Sequence, residues 1–312
     1  MKTWRALTIN TLPDGAAVDI PYLEVTGAAP GPRLTVIAGI HGTEYASIEA
    51  VRTFARGLDP TAIAGQITAV PVVNVPAFWA RSPFVMPADG KNLNRSFPGD
   101  PAGSYAERYA HHVFESFIAG RDYLLDLHAG DLPEALEPFA LYEESPVEQA
   151  ARDLALAYGL RHVVRQSRAV RTVGGSTSAA AADAGIPAIT AESGQNGLVE
   201  PAAVDRHLTG LASVLRHLGM IGGDPSPVPP PSEHEGWHWL RTPVGGWWAP
   251  SVPVGAHVAE GDLLGTVSAL TGELLHEVRA PAAGVPLFLT SSPAVLADGL
   301  LLGLANGVSE TG

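Results

Sequence analysis

The chain has 312 residues, enough to bury a full core as one large domain or two unequal ones. Its formal charge of −13, with Lys2 and Lys91 as the only lysines, speaks against nucleic-acid partners, whose affinity comes mostly from phosphate neutralisation. It has no cysteine, so disulfides are excluded and any metal site must be built from carboxylates and the eleven histidines.

The elements follow in chain order. Residues 1–30 alternate loosely and carry turn signals around Pro13 and Gly15 and between Gly27 and Pro32, which reads as a β-hairpin edge. From Leu34 the pattern becomes strand, turn, helix, repeated: a buried strand over 34–38, a helix over 45–56, a Val-rich strand over 66–75 and a helix over 103–117. A strand over 123–127, a helix over 147–158 closed by Gly159, strands over 162–164 and 186–191, and a long amphipathic helix over 201–220 complete the series. Strands alternating with helices of this length imply an α/β sheet with helices on its faces.

The run 224–232, rich in proline, reads as a stiff linker between a catalytic domain (1–223) and a small all-β domain (233–312). In that last segment 254–265 and 279–285 look like half-motifs of a biotinyl/lipoyl-like sandwich, yet there is no lysine to carry a prosthetic arm. Its aromatic cluster of Trp237, Trp239, Trp247 and Trp248 suits either packing against the catalytic domain or filling its own core. The longest apolar runs, such as 34–40, are strand-sized, against the ~20 residues a membrane span needs. Nor does the N-terminal sequence lead into a stretch resembling a signal peptide. A cytoplasmic protein without a membrane partner is expected, with homo-oligomerisation left open.

The chemistry concentrates where predicted strands end. His41 and Glu44 lie three apart between Gly39 and the helix, so both can reach one ion, and His128 ends the strand over 123–127. Two histidines and one glutamate form a set suited to a catalytic zinc, which takes three protein ligands and keeps one position open. Glu192, at the end of another strand and before Gly194, is the carboxylate left to act as base; a surface strand position is the competing reading. Asp126 suits either the support of a ligand histidine or a turn. Asn92 and Asn94 are also compatible with a turn between Asp89 and Gly99, while Arg95 can fork onto a carboxylate.

In this order the motifs resemble the succinylglutamate desuccinylase/aspartoacylase family, relatives of the zinc carboxypeptidases, over most of 30–310. The resemblance implies a mixed central sheet flanked by helices and one zinc (Zn2+) per chain, held by His41, Glu44 and His128. It also implies Glu192 as general base and acid, Asn94 and Arg95 as holders of the substrate carboxylate, and Arg81 as the transition-state arginine. The sequence departs from the family's pattern in one place. No arginine stands in 174–182, where aspartoacylase-type members hold a side-chain carboxylate, and Arg168 and Arg171 lie more than twenty residues before Glu192. That puts N-acetylaspartate and succinylglutamate in doubt as substrates. The expected function is a zinc amidohydrolase that deacylates an N-acylated amino acid or related small amide. A carboxypeptidase acting on short peptides and a non-catalytic metal-binding or ligand-sensing module are the alternatives.

Overall fold

Alternation of apolar runs with amphipathic segments produces one large mixed sheet covered by helices on both faces. In the computed structural model, which describes residues 1–9, 16–168, 174–225 and 229–309, the chain opens with β1 (Lys2–Ile9), β2 (Val18–Thr26) and β3 (Ala29–Ala38). Then come α1 (Tyr45–Gly57), β4 (Ala64–Val70), α2 (Val75–Ala80), α3 (Tyr105–Val113), β5 (Tyr123–His128), β6 (Glu134–Leu136) and β7 (Phe139–Glu143). These lead to α4 (Glu148–Tyr158), β8 (His162–Gln166), α5 (Thr177–Asp183), β9 (Ala188–Glu192) and α6 (Pro201–His217). The last part carries β10 (Ser232–Arg241), β11 (Gly246–Pro250), β12 (Leu263–Ser268), β13 (Leu274–Arg279), β14 (Gly284–Thr290), β15 (Ala294–Val295) and β16 (Leu300–Ser309).

Local chemistry accounts for the boundaries. Ser104 and Glu107 form a reciprocal capping box that starts α3, and Gly159 ends α4 at φ 85°. The strand expected over 66–75 stops at Val70, because Pro71 cannot donate to the ladder and Asn74 caps α2 through a bond from Ala77 N. The helix expected over 103–117 is α3 followed by a π-helical turn, Phe114–Ile118. One face of the sheet is covered by α1, α4 and α6, the other by α3 and α5.

The fold class is the expected one: a large mixed sheet flanked by helices, with a separate four-stranded antiparallel sheet in the C-terminal part. The large sheet has twelve strands in the order β1-β2-β4-β3-β5-β9-β7-β8-β10-β16-β14-β6, and the small one runs β13-β12-β11-β15. The expected division at 224–232 does not interrupt the large sheet. Residues 226–228 of the Pro-rich run lie outside the described residues, but β10 pairs parallel to β8, with Ser232 opposite His162 and His234 opposite Val164. Through β10, β14 and β16 the C-terminal segment supplies three strands of the main sheet, and only β11, β12, β13 and β15 stand apart. Among the described residues no helix is long and apolar enough to cross a membrane.

Candidate active site

Three neighbouring parallel strands end together. β3 pairs with β5, Ala38 opposite Leu127, and β5 pairs with β9, His128 opposite Glu192. Their carboxyl ends therefore deliver the loop after β3, His128 and Glu192 to one edge of the sheet, where α/β folds place ligands. The loop after β3 turns sharply at Gly39 (φ 68°). Gly42 lets it pass close under α2, since a Cβ there would meet the Phe78 amide nitrogen at 2.2 Å.

His41, Glu44 and His128 converge, their candidate ligand atoms lying within 4.8 Å of one another. His41 Nδ1 is 2.6 Å from Glu44 Oε1, and His128 Nδ1 is 2.9 Å from Glu44 Oε2. The far side of each ring is occupied: His41 Nε2 lies 3.1 Å from Asn92 Oδ1, and His128 Nε2 lies 3.0 Å from Asp126 Oδ2. Those acceptors call for N–H at both Nε2 atoms, which leaves both Nδ1 atoms facing the shared space. Asp126 is itself held by the Thr177 hydroxyl. Burial pushes the Glu44 carboxyl up, but the facing imidazoles outweigh it and hold it down to about 2, so this group is anionic. Two imidazoles, each braced from behind, and one carboxylate make a donor set that could hold a metal ion.

Glu192 stands beside this group, and burial raises its pKa to about 8. Its Oε2 is enclosed and, among the described residues, has no hydrogen-bond partner. With no partner on Oε2, Glu192 is placed to exchange a proton with a molecule held beside the candidate metal centre.

The site opens into a cavity of about 750 Å³. His41, Glu44, His128, Glu192, Asn94 and Arg95 all line it. Asn94 is anchored by the Thr177 amide, which donates to its Oδ1 at 3.1 Å, and Arg95 Nη1 donates to the Asn94 carbonyl at 2.7 Å. The Arg95 side chain remains accessible because the cavity is open to it, while the enclosing walls bring its pKa down to about 10. Arg81 is not brought in. It caps the C-terminal end of the six-residue α2 at φ 53°, is exposed, and does not line the cavity; Phe84, three residues on, does. The other arginine in the wall is Arg241 of β10.

Several supporting residues lay beyond the reach of sequence reasoning. Asn92, for which a turn was the competing reading, turns its Oδ1 to His41 and also accepts the Asn94 amide there at 2.8 Å. His207, which shows no ligand spacing in the sequence, is buried in α6. Its Nε2 donates to the carbonyls of His128 (3.1 Å) and Ser193 (3.2 Å), while Nδ1 accepts from the Tyr158 hydroxyl at 2.7 Å. It thus ties the residue after Glu192 to the ligand strand. Of the four tryptophans in the C-terminal segment, Trp247 is exposed and the other three divide between the two roles. Trp237 and Trp239 line the cavity, in ring contact with Phe139 and Phe288 respectively, whereas Trp248 fills the core of the small sheet. Arg171 lies outside the described residues, and Arg168 bonds Asp183 at 2.6 Å, away from the cavity wall.

Residues 30–218 match the model of the succinylglutamate desuccinylase/aspartoacylase catalytic domain. The chain belongs to that family. It is 30% identical over 211 residues to N-alpha-acetyl-L-2,4-diaminobutyric acid deacetylase of Halomonas elongata, a match covering 67% of this chain and 60% of that protein. Among solved structures it is similar to a succinylglutamate desuccinylase/aspartoacylase of Rhodobacter sphaeroides, with TM-score 0.87 and 22% identity over 99% of this chain and 96% of that one. It is also similar to the product-bound ectoine utilization protein EutE of Ruegeria pomeroyi, with TM-score 0.88 and 24% identity over 98% and 95% of the two chains. These structural likenesses extend the shared fold across the C-terminal segment.

Proposed function

We propose that this protein is a zinc-dependent amidohydrolase that removes the acyl group from an N-acylated amino acid or related small amide. The observation that carries the reading is the unpartnered Oε2 of Glu192 next to the convergent donors of His41, Glu44 and His128. When bound, zinc acidifies a water and polarises a carbonyl. Asn92 and Asp126 hold the two imidazoles in the tautomer that leaves Nδ1 free to donate. Glu192 takes the proton of the attacking water at Oε2 and returns it to the leaving amine nitrogen. Arg95 forks onto the substrate's carboxylate and Asn94 holds the adjoining backbone in place. The aromatic side chains of the wall, among them Phe84 and Phe288, surround these contacts with apolar surface.

A small acyl amino acid is favoured over a peptide by the cavity. Its volume falls within the ~300–1,000 Å³ typical of small-molecule sites, and residues of β10, β14 and β16 form part of its wall. The Halomonas elongata relative, by its name a deacetylase, puts N-acetyl compounds first among the candidates. The test is a hydrolysis screen of zinc-loaded protein against N-acetyl, N-succinyl and N-formyl amino acids, with dipeptides alongside. Release of free amine from the acyl amino acids is the expected result. Faster cleavage of dipeptides would make the protein a carboxypeptidase, and zinc binding without any turnover would make it a binding module.

A further inference from the structure

We propose that Arg241, carried by the strand that follows the Pro-rich run, is the second cation of a two-arginine carboxylate-binding subsite whose other member is Arg95. The inference rests on the deacylase reading only in identifying the anion as the α-carboxylate of the N-acylated amino acid.

Both arginines line the cavity. Each spends one donor on the protein itself, Arg95 Nη1 on the Asn94 carbonyl and Arg241 Nη1 on the Asp298 carbonyl, both at 2.7 Å. A guanidinium has five N–H donors, so most of each fork remains for a ligand. Among the described residues neither arginine is in an ion pair. The positive charge of Arg241 is felt at Arg95, where it adds to burial in disfavouring the cation. The nearby carboxyl group acting on Arg95 is Glu134, but burial pushes that group well above the usual carboxylate range, and its Oε2 is engaged by the Asp131 amide at 2.8 Å. Two like charges in the wall of one cavity repel each other, and an anion lying between them relieves that repulsion.

The strand geometry aims the side chain. Trp237, Trp239 and Arg241 alternate along β10 and so share the cavity face. At the end of that row the pairing with β16 slips, from Leu240 opposite Leu302 to Arg241 opposite Leu300. The extra residue of this irregularity, Leu301, lies on β16 and interrupts the ladder beside Arg241. Arg241 thereby stands at the end of the aromatic wall, a cation placed where an apolar surface stops.

The test uses full-length, zinc-loaded protein and two probes, L-2,4-diaminobutyrate and its α-carboxamide, titrated calorimetrically into wild type, Arg241→Gln and Arg241→Lys. Wild type should favour the acid by about tenfold or more, the scale of charge-assisted hydrogen bonds. Arg241→Gln should lose most of that preference and Arg241→Lys should recover part of it, with charge but no fork. If Arg241→Gln does not fold, the Lys variant must still show a reduced preference for the acid. A wild type indifferent to the carboxylate, or a preference unchanged in the variants, overturns the proposal. So does equal weakening of acid and amide, the mark of a residue that only holds the turn at Asp298. Turnover is read separately. Arg241-dependent binding of the acid by a protein that hydrolyses no N-acyl amino acid would keep the subsite and end the deacylase reading.

Discussion

Glu192 lies directly opposite His128 across the parallel β5–β9 pair. Adjacent strands are about 4.8 Å apart, so the register alone sets a carboxylate one strand-spacing from a candidate metal ligand. The arrangement separates two jobs: His128 is braced from behind by Asp126 and faces Glu44, while Glu192 keeps Oε2 open.

Glu192→Gln is therefore expected to retain the metal and lose about 10²- to 10⁴-fold in rate, the usual contribution of a general base. The amide is close to isosteric but cannot take the proton. Steady-state kinetics with metal analysis checks this, and a rate within a few-fold of wild type would move the base to another residue.

His41→Ala and His128→Ala should each leave two protein ligands and bind zinc poorly. Asp126→Asn should bind zinc about 10- to 100-fold more weakly, because it removes the charge that braces His128 while preserving the shape of the side chain. Metal content after dialysis against a chelator reads all three. Full occupancy in either histidine variant would mean that the ligand set is different.

Arg95→Lys should weaken α-carboxylate substrates far more than their amide-capped analogues, since a point charge replaces a fork. Comparing kcat/KM for the two substrate forms decides it. Equal losses would mark Arg95 as a packing residue.

Removal of residues 233–312 should unfold the chain and not merely open the cavity. It would strip β10 from β8, expose the apolar face around Phe139 and Val164, and leave Arg152 without Glu233, which it grips with two bonds of 2.7 and 2.6 Å. Soluble yield and thermal unfolding of the truncated chain report on this. A well-folded product with unchanged kinetics would contradict it.

His162 and His234 give a pH dependence with a definite sign. Their rings share a contact of 3.0 Å between Nδ1 and Nε2, and burial lowers both to about 4, with His257 adding repulsion to each and Arg161 to His162. The unfolded chain takes up these protons near pH 6.5 and the folded one only near pH 4, so stability should fall as pH drops through that window. Melting temperatures from pH 7 to pH 4 for wild type and His162→Asn/His234→Asn should differ in slope, the variant being flatter. Parallel curves would exclude the pair as a cause.

What could be read from the residues alone was local. Gly39, His41 and Glu44 occupy a strand-to-helix turn, and the residues before them, Leu34 to Ala38, form a buried strand, so strand, turn and helix follow from spacing and residue type. The same holds for Asp126 and His128 at the end of β5. Tertiary structure decided what depends on strand order. That Glu192 is a neighbour of His128, that Asn92 backs His41 and that His207 reaches the His128 carbonyl all join residues 51 to 79 positions apart. The twelve-stranded sheet also decided where the C-terminal segment goes. Its strands read as a separate β-unit because alternation within a strand is the same whether the partner is near or far in the chain. Pairing of β10 with β8 brings Trp237, Trp239 and Arg241 to the cavity wall, while Arg81, at the C-terminal end of α2, stays outside it. Periodicity encodes which face of a strand is buried; the identity of the neighbouring strand is settled only when the whole sheet assembles.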